Sequence, residues 1–292
     1  MIRTHRLTPY LYVLPMVLLL VGIFGYPIFK LFDFSTKRIR GFDGPSIGLG
    51  NFQALFNDPV FGQSIVHNLL LLLGIIPLIF LSLIVAIALY ERLRGWRLYQ
   101  TLVFLPYILA IPIVGVVLKN MFQFNGPINT VLRAAGLQGL ALDWLGDKDI
   151  AIFTVGAMIV WREAAFGIIL FLSRLLSLNE ELTEAAQLDG ANWRQRTQYI
   201  IIPQLRGVIE FYLIIGLITL VAAVFAYVYI VPGKGAPANG TMVLELYIYN
   251  WAFEKRLPGM GAAVSVILLM VTVVLMVALF YVRRNAAREE TQ

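Results

Sequence analysis

Six long apolar runs dominate the chain, at about residues 10–32, 66–90, 99–122, 150–176, 208–231 and 262–282. Each is long enough to cross ~30 Å of hydrocarbon at ~1.5 Å per residue of helix. Lipid offers no water to backbone N–H and C=O groups, so runs of this length are confined to helices, which satisfy those groups internally. Composition agrees, with 59% hydrophobic and 14% charged residues, where a soluble domain is nearer half apolar and a quarter charged. The fold class read from the sequence is therefore all-α integral membrane, with six transmembrane helices. There is no cysteine, which excludes disulfides and thiolate metal sites. The net charge is +6, yet no basic tract interleaved with aromatics points to nucleic acid.

Residues 1–9 are a short polar lead carrying Arg3, His5 and Arg6, and residues 10–292 form one transmembrane domain. A signal peptide would have a shorter apolar core and a small-residue cleavage site; the first run lacks both and reads as an uncleaved helix. Six crossings put both termini on one side of the membrane. Of 23 Lys and Arg, twelve fall in the segments on that side, ten on the other, and Arg162 lies inside a run. This is a slight positive-inside bias.

The polar stretch at 177–207, between the fourth and fifth runs, has its own pattern. Glu184-Ala185-Ala186-Gln187-Leu188 are good helix formers. Asp189-Gly190 signals a turn, because glycine takes backbone angles that other residues resist. A second short helix can run from Trp193 to Ile202, where Pro203 is expected to stop it. A polar helical hairpin on a membrane face is a plug suited to another protein's socket.

The same residues resemble the EAA loop of ABC-importer permeases, the membrane subunits of ATP-binding-cassette uptake systems. The pattern is Glu184-Ala185-Ala186, three residues, Gly190, nine residues, Ile200, one residue, Ile202 and Pro203. Asp189 and Ala191 match the form seen in sugar permeases. Gly48-Leu49-Gly50-Asn51-Phe52 resembles a stretch after the first span of that group, and Gly233-Lys234-Gly235-Ala236-Pro237 with Thr241, Tyr247, Tyr249 and Phe253 resembles one in its third outer loop. Two positions depart, Ile202 for Leu and Ala236 for Gly. The likeness covers most of the chain from Asn51 to Val282. It implies the MetI-like permease fold and a bacterial inner membrane location, with both termini cytoplasmic. It also implies a second related permease subunit, two ATPase subunits inside and a solute-binding protein outside. ATP and magnesium would be bound by the partner ATPase, and no cofactor by this chain. Glu184, Ala185, Ala186, Asp189, Gly190, Ala191 and Pro203 would couple the chain to that ATPase.

Arg162 and Glu163 fall at the middle of the fourth run. Ionisable groups at that depth are costly and usually face a cavity or a partner. Adjacent helical positions point about 100° apart, so the two are not expected simply to pair with each other. Two readings stand: they line a solute path, or they pair with another helix or subunit. Phe166 lies one turn on, where an aromatic face beside polar groups suits a sugar ring. Gly216, Thr219 and Leu220 are further path candidates, on the resemblance; close helix packing is the alternative for Gly216. Tyr227 and Tyr229 read as an interfacial belt.

No GxxxxGK[ST] or HExxH sequence occurs, and His5 and His67 are far apart. No ATP, metal or hydrolytic site of the chain's own is visible, and no catalytic residue is assigned. The function expected is therefore a non-enzymatic permease subunit for a sugar or sugar-like solute. A secondary transporter or channel needs no ATPase, and an intramembrane enzyme would need a catalytic constellation. Both leave the 184–203 pattern unexplained.

Overall fold

The computed structural model describes residues 8–39, 43–91, 95–178 and 180–289. The lead at 1–7 and the basic positions Arg92 and Arg94 lie outside the described residues. The described residues form helices joined by loops, with one isolated bridge between Lys37 and Ser46 and no strand ladder. Five helices are long and apolar enough to cross a membrane: α1 (Tyr10–Ser35), α3 (Pro59–Tyr90), α7 (Ala151–Leu175), α9 (Trp193–Ala222) and the first part of α12 (Pro258–Glu289). A bent pair, α4 (Trp96–Ile108) and α5 (Ile111–Met121), makes a sixth. Shorter elements are α2 (Gly50–Phe56), α6 (Pro127–Ala134), α8 (Glu180–Leu188), α10 (Phe225–Val228) and α11 (Leu244–Tyr249).

The chain divides into two compact units, residues 1–61 with 247–271, and 62–246 with 272–292. In the first, Asn51 donates its side-chain amide to the carbonyls of Ser35 (2.8 Å) and Lys37 (2.9 Å), which fixes α2 to the end of α1. Tyr247 donates to Asp58 at 2.6 Å, and burial, then that carboxylate, pushes its phenol well above the usual range. The rest of α1 is exposed almost throughout.

The second unit is built on α7, most of whose residues are buried. It lies against α3 and α9 at positions without side-chain bulk. A Cβ at Gly167 would run into the Tyr212 ring of α9, and on α9 itself one at Gly216 would stand 2.7 Å from Ile75 of α3. Ser82 of α3 donates to the Ala164 carbonyl (3.1 Å), and Tyr212 of α9 donates to the Glu163 carbonyl (2.9 Å). Small residues that let backbones approach, with side-chain hydrogen bonds across, are how apolar helices associate where lipid removes the hydrophobic drive.

Three features differ from the sequence reading. Residues 99–122 do not form one straight span: α4 and α5 meet at 106°. Leu109 and Ala110 are extended (ψ 142° and 140°), and Pro112 opens α5. In a continuous helix its ring would press on the Ile108 carbonyl. Pro203 does not end the second hairpin helix. A wide π turn at Thr197–Ile201, closed by the Ile202 N–H on the Thr197 carbonyl, precedes it and the helix runs on to Ala222. The wider turn makes room for the ring, and a missing N–H costs nothing at the start of a new α segment. Finally, residues 208–231 break at Ala223 (φ −142°), after which α10 and a second π turn, Tyr229–Gly233, take over.

Candidate functional site

The hairpin at 180–203 is built as a turn between two capped helix ends. Helix α8 closes in a Schellman motif: Ala191 N–H bonds the Ala186 carbonyl (2.9 Å) and Gly190 N–H bonds the Gln187 carbonyl (3.0 Å). Gly190 takes φ +81°, the left-handed conformation that this motif requires and that a side chain resists. Helix α9 opens on a capping box. Asn192 Oδ1 accepts from Gln195 N–H (2.9 Å) and Gln195 Oε1 accepts from Asn192 N–H (2.8 Å).

Ala185, Asp189, Gly190 and Pro203 are exposed, and Ala186 and Ala191 half-buried. Glu184 lies within α8, and its side chain is outside the described residues. Leu188 is 89% exposed, and Trp193 and Tyr199 are also open. The sequence reading passed over these three, though an apolar residue next to Asp-Gly was a signal that could have found Leu188. A shallow cavity of about 300 Å³ opens against Asp189, Gly190, Arg196 and Tyr199. The arrangement presents small and apolar groups on a polar, prestructured projection, which suits a protein partner.

The second cluster lies at the middle of α7. Arg162 Nη1 donates to Glu163 Oε1 at 2.7 Å, so the two do pair, contrary to the expectation. Their Cα–Cβ bonds diverge, but the long side chains turn back onto a shared partner. Tyr227 OH donates to the same Glu163 oxygen at 2.6 Å and accepts from Arg162 Nη1 at 3.2 Å. Arg162 Nη2 donates to the carbonyls of Tyr107 (3.3 Å) and Leu109 (3.1 Å), at the end of α4 where the break leaves carbonyls free. The guanidinium also lies over the Tyr107 ring, 5.1 Å from its centroid. Phe166 stacks on the Tyr107 ring, with 5.4 Å between centroids.

Tyr227 is 1% exposed, so it belongs to the core and not to an interfacial belt. Arg162 is buried; Glu163 and Phe166 are half-buried. Of the remaining path candidates, Gly216 and Leu220 are buried, Gly216 against Ile75 and Leu78, while Thr219 is half-buried. Tyr107 and Tyr227 are the members that sequence reasoning missed. They stand 55 and 65 positions from Arg162, and periodicity carries no information at that separation.

Residues 79–288, which include the hairpin and the polar cluster, match the family model described as binding-protein-dependent transport system inner membrane component. The chain belongs to that family. It is thus a multi-pass inner membrane protein, the permease subunit of an ABC importer. The chain is 32% identical to the lactose transport system permease protein LacF of Rhizobium radiobacter, over 97% of this chain and 96% of that one. It is 30% identical to the sn-glycerol-3-phosphate transport system permease protein UgpA of Agrobacterium fabrum, over 93% and 92%. In fold, this permease matches the crystal structure of a bacterial ABC transporter that imports the acidic polysaccharide alginate. The TM-score is 0.79 at 23% identity, and 94% of each chain is covered. The all-helical importer-permease fold expected from the sequence is the one observed.

Proposed function

We propose that this permease forms part of the translocation path for a carbohydrate or carbohydrate-like solute, delivered by an extracytoplasmic binding protein. The names of its relatives support the solute class, since they move lactose, sn-glycerol 3-phosphate or multiple sugars. The observation that carries the coupling role is the exposed, doubly capped hairpin at 180–203. Ala185, Ala186 and Ala191 let it sit close to a partner surface, Asp189-Gly190 sets its turn, and Pro203 begins the part of α9 that leaves the hairpin for the bundle. Glu184 is assigned to the same contact.

The partner is an ATP-binding-cassette ATPase, in two copies, that holds ATP and magnesium and performs the hydrolysis. The chain itself has no catalytic role. A second, related permease completes the path, and both termini face the cytoplasm with the hairpin. Closure of the ATPase pair moves the hairpin, and α9, continuous with it through the π turn, carries the motion into the bundle as alternating access. Glu163, Phe166 and Thr219 are assigned to the solute's path. Arg162, Gly216 and Leu220 shape it from behind.

Affinity capture of the tagged chain from its native membrane, followed by mass spectrometry, tests the coupling role. The expected result is recovery of a P-loop ATPase, lost when Gly190→Val disturbs the turn. A preparation free of any ATPase, or one in which Gly190→Val retains it fully, would count against this reading.

A further inference from the structure

Two spans of the second unit are broken, at Leu109–Ala110 and at Ala223–Val224. The segments beyond the breaks, α5 and the Phe225–Gly233 stretch, pack against each other. A Cβ at Gly115 would lie 3.2 Å from Ile230 Cγ2, 3.6 Å from Ile230 Cβ and 3.5 Å from Val231 Cγ2. Both breaks are held by side chains from elsewhere. Arg162 takes the carbonyls at the first. At the second, Asn68 donates to the Val221 carbonyl (3.1 Å) and accepts from the Leu244 N–H (2.8 Å), while Glu245 accepts from the Val224 N–H (2.7 Å). Tyr227 stands three residues past the second break and bonds to both Glu163 and Arg162. A single hydroxyl therefore ties the segment after one break to the group that caps the other.

We propose that α5 and residues 225–233 move as one body on these two breaks, and that Tyr227 latches this body to α7. The physical reason lies in the kinds of contact. Gly115 lets the two segments pack with ordinary apolar contacts, which persist when the pair moves together. The Tyr227–Glu163–Arg162 bonds join the pair to α7, and they are directional and break over a fraction of an ångström. Leu109 and Ala110, which are extended, and Ala223, which leaves the helical angles (φ −142°, ψ 29°), absorb rotation without disturbing helix on either side. Tyr227 is thus a positioning residue for transport: it holds the resting arrangement and raises the threshold for leaving it.

This inference rests on the importer reading, and its test separates the two. The complete importer is purified into lipid nanodiscs, and basal ATP hydrolysis is measured without solute or binding protein. Hydrolysis by the wild-type complex establishes the reading itself. Tyr227→Phe keeps the ring and removes the latch. Loss of hydrogen bonds to a charged pair should raise the basal rate by roughly tenfold. A merely structural role predicts the opposite sign, since a damaged complex hydrolyses more slowly. An unchanged or lowered rate would overturn the latch.

The second arm holds whether or not Tyr227→Phe assembles. The chain has no cysteine, and the spacing at 115 and 230 falls within the Cβ–Cβ range of a disulfide, about 3.5–4.5 Å. Gly115→Cys with Ile230→Cys should cross-link on oxidation and leave ATP hydrolysis and vanadate trapping within about twofold of the reduced protein, since contacts inside one body do not change. Failure to cross-link, or a tenfold loss of trapping restored by reductant, would overturn the joint body.

Discussion

Arg162 shows what a buried charge requires. The two Nη atoms of its guanidinium bond Glu163, Tyr227 and two backbone carbonyls, while Nε is buried without a partner. Removing one member of such a pair leaves the other charged and desolvated, at a cost of about 3–5 kcal/mol, whereas an amide of the same shape still accepts the hydrogen bonds and spares the cost of unsatisfied donors. Glu163→Ala should therefore lower the unfolding midpoint of the purified importer by far more than Glu163→Gln. Equal shifts would mean that Arg162 depends on the carboxylate's charge and not on hydrogen bonds that an amide can keep. The sequence alone singled out Arg162 and Glu163, because ionisable residues in an apolar run demand an explanation. It placed Tyr227 wrongly, since a tyrosine near the end of an apolar run has the pattern of an interfacial residue. Only the fold brings Tyr227 to Glu163.

At the scale of elements, prolines and caps decide where helices end. Pro112 and Pro203 look alike in sequence, each directly after an isoleucine, yet one marks a 106° bend and the other sits in a continuous helix. The difference lies in the preceding residues. Leu109 and Ala110 are extended, while the π turn at Thr197–Ile201 keeps the helix axis and makes room for the ring. Such a turn has no composition signal, so the sequence reading ended the helix too early. Asp189-Gly190 was legible because glycine at φ > 0 has a direct local cause. The Asn192–Gln195 capping box is local in the same way, and Asn192→Ala should destabilise the start of α9 by about 1 kcal/mol. Hydrogen exchange across 193–196 should accelerate roughly fivefold in that variant, the rate equivalent of about 1 kcal/mol, with α7 unaffected. No change would show that the box does not hold the hairpin.

For the whole molecule, membrane insertion and importer membership follow from patterns spread along the chain, and both were readable before any coordinates. Six apolar runs survive as five long helices and one bent pair. The position of the hairpin between α7 and α9 agrees with the family match over 79–288. Orientation is carried much less well by charge, because twelve basic residues against ten is a small asymmetry. Two path candidates read from the resemblance, Gly216 and Leu220, prove to be packed in the helix core. Gly216 is a candidate on the resemblance, with close packing as its alternative, and a residue without a side chain serves either use, so sequence cannot separate the two.

The central claim is that the 180–203 hairpin is the surface through which an ATPase drives this permease. Site-specific photocrosslinking tests it most directly, with a photoreactive benzophenone side chain placed at Leu188, at Tyr199 and, as a reference, at Phe153, all three exposed. The account predicts adducts containing a P-loop ATPase from positions 188 and 199 and none from 153. Adducts lacking any ATPase at both hairpin positions, or ATPase adducts from 153 alone, would contradict it.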